Sequence, residues 1–215
     1  MATRVRMRPD ERRQQLLDLG AELFATQPYE DVHIERVAEL ADVSRGLLYH
    51  YFPNKREFFG QLLVRESQRV QELTAPDPSL PPLDQLRNGL DAFLNHARKN
   101  RHGVRAIHRG SLSGDPEVQE MLAEGNRMQE DRILSVLVPE GTPAPLLRMC
   151  VHGWIVFTRE MCDEWIEADA DPVEVSQEDV VSACVNAFVG MMLGLPDHAR
   201  PPGAAELLAA ATGTA

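Results

Sequence analysis

The stretch Val43–Lys55, VSRGLLYHYFPNK, concentrates basic and aromatic side chains in a chain that is otherwise acidic. It holds an Arg, a His, a Lys and two of the three tyrosines, although the 215 residues carry a formal net charge of −11 and are only 6% aromatic. Cations and rings at short helical spacing indicate either packing or contact with an anionic partner. The flanking sequence distinguishes these two interpretations.

The residues around this stretch predict four helices separated by breaks. An apolar stripe predicts a helix over residues 10–26, which Pro28 ends. A short helix over Ile34–Ala41 follows, and then the turn DVS, in which Asp42 tolerates a positive φ. Ser44 is a suitable N-cap for a third helix to Tyr51. The sequence FPN breaks that helix before a fourth one, Lys55–Leu73.

Two short helices joined by a three-residue turn predict a helix-turn-helix. In this motif the second helix enters the DNA major groove by its N-terminal residues. Arg45 is placed to reach base edges, of which guanine is the commonest Arg target. Gly46 leaves room for close approach, and Leu47 is suited to contact a thymine methyl group. The motif alone is a weak signal, because many helical corners resemble it.

The same segment offers donors for phosphate oxygens, which position a protein on DNA without reading its sequence. These donors are Ser44, Tyr49, His50 and Lys55. The basic arm with Arg4, Arg6 and Arg8 is suited to lie along the backbone or in the minor groove. Packing is the competing interpretation. We expect Val43, Leu48 and Phe52 to lie in a core, and Tyr51 is a further core candidate. For Tyr49 and His50 the sequence allows either phosphate contact or packing.

Residues 10–59 resemble the DNA-binding domain of the TetR family of bacterial transcriptional regulators. The matching pieces are LLDLGAELF, IERVAELADVS and above all SRGLLYHYFPNK. The resemblance implies a homodimer, an operator with two half-sites and a ligand pocket in the C-terminal domain. Carried over by position, it places the DNA contacts at Ser44, Arg45, Gly46, Leu47, Tyr49, His50 and Lys55. Two positions depart from the family: His33 replaces the usual capping Ser or Thr, and Pro28 replaces a Gly.

The segment Thr74–Asp84 contains four prolines and marks the clearest boundary in the chain. After it the sequence predicts helices near 82–100, 104–113, 115–138, 144–168 and 177–194, with a short one at 203–211. The predicted fold is therefore all-α with about nine helices. We expect a helix-turn-helix domain over 1–54, a linking helix over 55–73, an effector-binding and dimerisation domain over 74–196, and a flexible tail over 197–215.

Two of these helices are apolar on nearly every face, 144–168 and 177–194. A helix that is hydrophobic all round is buried all round. Pairing both helices with their copies would form a four-helix interface in a homodimer. The alternative is a monomer with a large central core.

An effector pocket needs apolar walls and a few convergent polar groups. The candidates on three consecutive predicted helices are Arg105, His108, Arg109, Met121, Met128, Gln129, Trp154, Phe157 and Glu160. Plain core packing is the competing interpretation for each apolar member, and a solvated surface or a salt bridge is the competing one for His108 and Arg109.

Other classes of protein find little support in the sequence. No apolar run has the about 18–20 residues of a membrane span, and the three cysteines form no CxxC pair, which indicates reduced core thiols in a cytoplasmic protein. His96, His102 and His108 do not share one helical face, so we predict no metal, and no cofactor motif is present.

We therefore predict a ligand-responsive regulator that represses transcription by binding a pseudo-palindromic operator as a homodimer. The alternative from another class is a helical binding module or enzyme that uses its N-terminal domain only for docking. Residues 1–69 hold eleven basic and eleven acidic residues, so the acidic excess lies entirely in residues 70–215. Such a protein can still present one basic face to DNA.

Overall fold

The computed structural model describes residues 7–168 and 175–201. Over these ranges the chain is helical, and the predicted all-α class with nine helices is confirmed. The helices are α1 (Pro9–Thr26), α2 (Glu35–Leu40), α3 (Arg45–Tyr51), α4 (Lys55–Leu73), α5 (Pro82–Lys99), α6 (Arg101–His108), α7 (Pro116–Leu137), α8 (Pro145–Ala168) and α9 (Gln177–Gly194). Single 3-10 turns lie at Tyr29–Asp31 and Asp197–Ala199. Arg4, Arg6 and the predicted helix at 203–211 lie outside the described residues.

The predicted bounds of one helix, 104–113, are wrong. Helix α6 begins at Arg101, so Asn100 alone separates it from α5, and Gly103 lies in its first turn and does not break it. The helix ends after His108, where the N–H groups of Arg109 and Gly110 both donate to the carbonyl of Arg105. A Cβ on Gly110 would lie 2.8 Å from the Cα of Ala106, so this tight ending needs glycine.

The chain divides into two compact units. The first unit contains residues 1–68 and 99–118, and the second contains residues 69–98 and 119–215. The first unit thus combines two separate stretches of chain, and α6 packs against α1 and the turn at Tyr29–Asp31 within it. Ala106 and Ile107 are the buried residues of α6.

Aromatic rings form the core of the first unit. Phe52 and Phe58 are fully buried and meet edge to face with ring centroids 4.6 Å apart, and Phe24 packs on Phe59 at 4.8 Å. Burying each phenylalanine contributes about 1.5–3 kcal/mol to the free energy of unfolding. The expectation that Leu48 and Phe52 are core residues is confirmed, whereas Val43 and Tyr51 are only half-buried.

Helices α1 and α4 approach each other closely at Gly20. A Cβ at this position would lie 2.3 Å from the ring of Phe58. Only a residue without a side chain therefore fits between this helix and the ring at the start of α4.

In the second unit, α8 packs along α9. The indole of Trp154 donates its N–H to the carbonyl of Cys184 at 2.8 Å and meets Phe188 edge to face at 5.0 Å. Cys162 and Cys184 are fully buried free thiols. Burial is the main cause that raises the pKa of Cys162 to about 12, so this thiol stays protonated and packs as an apolar group.

The other faces of α8 and α9 stay exposed in the single chain. Met149 is 69% exposed, and Leu146, Val156 and Phe157 of α8 and Leu193 of α9 are 36–42% exposed. Gly153 and Gly190 lie on these faces too, and a Cβ at either would meet no atom within 4 Å. The single chain therefore buries only part of the apolar surface that these two helices carry.

Within the described ranges, none of the helices combines the length and the apolar character that a membrane crossing needs. No cluster of three or more His, Cys, Asp or Glu side chains among the described residues is arranged to hold a metal ion.

Candidate nucleic-acid interface

The predicted helix-turn-helix is present as α2, a three-residue turn and α3. Asp42 has a φ of 52°, as the sequence predicted. Among the described residues other than glycine, it alone has a positive φ. The N–H of Val43 then donates to the carbonyl of Ala38 at 2.9 Å, which closes the turn. The turn sets the direction in which α3 leaves α2.

Ser44 caps α3 as predicted. Its Oγ accepts the backbone N–H of Leu47 at 3.1 Å. Leu48, four residues after the cap, is fully buried and anchors the helix on the core of the first unit. The opposite side of α3 is therefore turned outward.

The predicted base-reading residues lie on this outward side. Arg45 and Gly46 are exposed and Leu47 is half-buried. Among the described residues, the guanidinium of Arg45 has no hydrogen-bond or ion-pair partner. The nearest atom to a Cβ at Gly46 would be the Oγ of Ser44 at 3.9 Å, so nothing inside the described protein requires glycine here. Both residues are free to meet an external partner.

Arg45 also borders a surface groove of about 590 Å³ beside α2. The other residues that line it are Leu23, Gln27, Asp31, Val32, His33, Glu35, Arg36 and Glu39. Three of them are acidic, so the basic helix α3 stands directly next to a carboxylate-rich wall.

Tyr49 and His50 are exposed on α3, which excludes them from the core. The hydroxyl of Tyr49 donates to a carboxylate oxygen of Glu35 in α2. This hydrogen bond is the main reason that the pKa of Glu35 is lowered and that of Tyr49 is raised. Sequence reasoning missed Glu35, because no helical period relates positions 14 residues apart in two different helices.

Lys55 is turned toward the turn at Tyr29–Asp31. Its Nζ donates to the carbonyl of Glu30 at 3.2 Å and lies 4.3 Å from the ring centroid of Tyr29. Partial burial is the main cause of its lowered pKa. The ammonium group keeps two further donors, so a phosphate contact by Lys55 stays a prediction.

Asn54 caps α4, which the sequence reading did not single out. Its Oδ1 accepts the N–H of Glu57 at 2.8 Å. The signal was present, because Asn directly before a helical run is a preferred N-cap.

Arg56, next to Lys55, binds Asp115 through two parallel hydrogen bonds. Nε lies 2.8 Å from Oδ2 and Nη2 lies 3.1 Å from Oδ1. The same Nη2 lies 3.3 Å from Oε2 of Glu117. The pKa of Asp115 is lowered first by this pairing. Oδ1 of Asp115 also accepts the N–H groups of Glu117 and Val118 at the start of α7. Asp115 therefore holds the first turn of α4 and the first turn of α7 at once.

The basic arm is described only from Met7 onward. The guanidinium of Arg8 pairs with Glu11 at 2.8 Å at the start of α1, while its side chain stays exposed. Arg8 thus stands at the helix terminus with its charge partly satisfied.

The predicted effector residues are distributed over both units. Arg105 and His108 lie on α6 and Arg109 follows it, all three in the first unit. The second unit contains Met121, Met128, Gln129, Trp154, Phe157 and Glu160.

Several of the predicted effector residues have structural partners or solvent-exposed positions. Trp154 is buried and donates a hydrogen bond to the backbone carbonyl of Cys184. The Nε2 of Gln129 donates to the Oγ1 of Thr74 at 2.9 Å. Met128, Phe157 and Glu160 are exposed. Core packing thus accounts for Trp154, and the effector site as a whole stays a prediction.

Comparison with known proteins agrees with this geometry. The family model described as "Bacterial regulatory proteins, tetR family" matches residues 16–62. A second model, "Tetracyclin repressor-like, C-terminal domain", matches residues 82–191. Together they span well over half of the chain.

Individual relatives are similar over most of their length. The HTH-type transcriptional repressor KstR of Rhodococcus jostii is 38% identical over 156 residues, which cover 73% of this chain and 70% of that protein. The HTH-type transcriptional activator FasR of Mycolicibacterium smegmatis is 24% identical over 76% of each chain. A TetR-family regulator from Streptomyces coelicolor shares the fold with a TM-score of 0.81 at 23% identity, over 96% of this chain and 90% of that chain.

Helix α3 is capped, exposed on its outer side and packed on an aromatic core, and family models match both the N-terminal and the C-terminal stretches. The chain therefore belongs to the TetR family of DNA-binding transcriptional regulators, which are not enzymes.

Proposed function

We propose that this regulator represses transcription by binding a pseudo-palindromic operator as a homodimer, and that a small-molecule effector releases it. The observation that carries the proposal is the outward N-terminal turn of α3, where Arg45 is exposed and has no partner among the described residues. An exposed arginine at this point of a helix-turn-helix reads base edges in the major groove. Repression is favoured because the relative with 38% identity, KstR, is named a repressor.

The exposed apolar faces of α8 and α9 support the homodimer. Met149, Val156 and Phe157 on α8 and Leu193 on α9 would be covered by the same residues of a second copy. Gly153 and Gly190 would let the helices approach closely. A two-fold dimer would carry two copies of α3, which suits an operator whose half-sites lie about 34–36 Å apart, one turn of DNA.

The double role of Asp115 supports a route for effector control. Asp115 joins the first turn of α7 to Arg56, and Arg56 lies four residues after Phe52, the C-cap of α3. Both α4 and α7 continue from the first unit into the second. An effector that binds better to one arrangement of α7 would therefore bias α4, and with it α3.

We place this function in the bacterial cytoplasm, where chromosomal DNA is accessible to a regulator. The effector would contact residues of the predicted set, among which Met121 and Met128 offer apolar surface outside the proposed dimer face. Methionine and aromatic side chains adapt to varied ligands, which suits a regulator of this kind.

Selection of binding sites from a random duplex pool tests the proposal. The selection is run at about 0.15 M salt, where nonspecific phosphate binding is weakened, with the mass of the native protein measured alongside. We expect an enriched inverted repeat with half-sites one helical turn apart and a mass of two chains.

An unenriched pool from protein that was denatured and refolded, so that any bound ligand is removed, would contradict the operator proposal. A mass of one chain with intact secondary structure would contradict the dimer. Addition of the effector, once found, should lower the affinity of the dimer for the enriched repeat.

A further inference from the structure

We propose that Glu35 sets the sequence specificity of DNA binding, because it fixes Tyr49 and faces Arg45 at the surface of α3. Glu35 is the first residue of α2 and lines the groove that Arg45 borders. This inference rests on the proposed operator binding and assigns to that function a residue outside the recognition helix.

The contact between α2 and α3 changes what Tyr49 can do. A phenol has one proton to donate, and the hydroxyl of Tyr49 donates it to Glu35. Phosphate oxygens only accept hydrogen bonds. While this bond exists, Tyr49 therefore cannot be the phosphate donor that the sequence suggested, and its exposed ring is held in one direction across the surface of α3.

The charge of Glu35 persists at neutral pH. The hydrogen bond from Tyr49 is the first cause of its lowered pKa, and Arg45 also contributes. Glu35 and Arg45 thus attract each other without forming an ion pair. This attraction restrains the guanidinium on the side of α3 that faces the groove, yet leaves its donors available for a base.

A fixed carboxylate at this surface also penalises binding to the wrong DNA. Approach to the phosphate backbone costs electrostatic free energy on every sequence. Only a duplex in which a base accepts hydrogen bonds from Arg45, and so holds its guanidinium beside Glu35, offsets this cost. Specificity is a difference of two affinities, so a repulsion raises it only if the operator relieves the repulsion and scrambled DNA does not. The guanidinium of Arg45, held on a base beside Glu35, would supply that relief. A carboxylate without such a contact weakens both affinities alike.

The experiment compares three variants, Glu35→Gln, Tyr49→Phe and Glu39→Gln. Each is measured for binding to the selected operator and to a duplex of the same length and scrambled sequence. Glu39→Gln is the matched control, since it removes the same charge from the same helix and the same groove, while Glu39 pairs with Arg36 and not with Tyr49.

We expect Glu35→Gln to raise the affinity for scrambled DNA about two- to fivefold, the size of one exposed charge interaction, and to lower the ratio of operator to scrambled affinity. Tyr49→Phe should lower the ratio of operator to scrambled affinity with little change in the affinity for scrambled DNA, because the carboxylate of Glu35 remains charged but is no longer held by Tyr49. The control should raise both affinities alike and leave the ratio unchanged.

A second measurement needs no DNA. Ultraviolet titration of the phenols, with Tyr49→Phe used to assign Tyr49, should show a pKa above the usual value in the wild-type protein, as the bond to Glu35 requires. In Glu35→Gln this pKa should fall toward the usual value. An unchanged Tyr49 titration in Glu35→Gln would show that the bond does not exist in solution.

The outcomes separate this inference from the function on which it rests. A wild-type protein that prefers no duplex overturns both. A wild-type preference that survives in Glu35→Gln and Tyr49→Phe, or that Glu39→Gln reduces equally, overturns the role of Glu35 and leaves operator binding intact. Urea unfolding of each variant confirms that the compared proteins are equally folded.

Discussion

Arg45 is the residue that we propose separates specific from nonspecific binding. Its backbone is fixed by the Ser44 cap and its side chain is exposed. The surrounding protein supplies no ion pair among the described residues that DNA would first have to break. A change at Arg45 should therefore act on recognition and leave folding unaffected.

Replacement of Arg45 by Ala should weaken operator binding by about 1–3 kcal/mol and relax the preference at one base position of each half-site. Competition with single-base variants of the operator measures this effect. Arg36→Ala is a control, because Arg36 lies on α2 and pairs with Glu39. Equal loss on all duplexes in Arg45→Ala would show that Arg45 contacts phosphate and reads no base.

Replacement of Lys55 by Ala should weaken binding to every sequence alike and flatten the dependence of affinity on salt, because one phosphate contact releases about one counterion. Binding isotherms at several salt concentrations measure the slope. The variant also loses the contacts to Glu30 and Tyr29, so its unfolding is measured in parallel. An unchanged slope would assign Lys55 to the support of the turn at Tyr29–Asp31 alone.

Replacement of His33 by Ser should raise the free energy of unfolding slightly, by about 0.5 kcal/mol, the low end for a new N-cap. Helix α2 begins without a side-chain cap. Ile34 before it already has helical backbone angles, and the carbonyl of His33 accepts the N–H of Arg36, so a side chain at position 33 is placed to cap this first turn. Urea denaturation measures the gain. A clear loss of operator affinity in the same variant would instead place His33 against DNA.

At the scale of elements, the close approach of α1 to α4 depends on Gly20. The ring of Phe58 fills the space that a side chain at Gly20 would need. Gly60, two residues along α4, has no such neighbour. The two glycines are therefore a matched pair for the same substitution in helices of one unit.

Gly20→Ala should lower the free energy of unfolding by about 1–3 kcal/mol, since overpacking of a close contact forces the helices apart. Gly60→Ala should raise it by about 0.5–1 kcal/mol, because alanine favours the helix and meets no other atom. Urea unfolding of both proteins measures the contrast. A Gly20→Ala variant as stable as Gly60→Ala would contradict the close approach of α1 and α4.

Sequence predicts elements well where local chemistry decides them. Pro28, the Ser44 cap and the FPN break place α1, α3 and α4 within one or two residues. The bounds of α6 were missed because Gly103 is tolerated in a first turn, while Gly110 is needed by contact with Ala106. The pairs Glu35–Tyr49 and Arg56–Asp115 join positions 14 and 59 residues apart, and only the folded chain brings them together.

At the scale of the whole molecule, the apolar face of α8 and α9 should decide the oligomeric state. Met149 is the most exposed large hydrophobic side chain described. Met149→Lys should weaken the dimer at least about tenfold, because a charge would be buried in the proposed interface. Val136→Lys on α7, which is 42% exposed, is the control.

Sedimentation over a range of protein concentrations measures the dimer in both variants, and circular dichroism verifies the helices. Operator affinity should fall with the loss of the dimer, since in the proposed dimer each subunit reads one half-site. A Met149→Lys protein that remains dimeric would place the interface on another face.

The first unit takes α6 from a stretch that returns after thirty residues of the second unit. A designer who fuses this DNA-binding region to a foreign sensor at residue 68 would leave α6 behind and uncover the surface of α1 on which it packs. A functional hybrid therefore needs three crossover points, near residues 68, 99 and 118, and a transplanted sensor would replace both residues 69–98 and the residues after 118. The part of this regulator that can be exchanged as a module is therefore built from two separate stretches of chain.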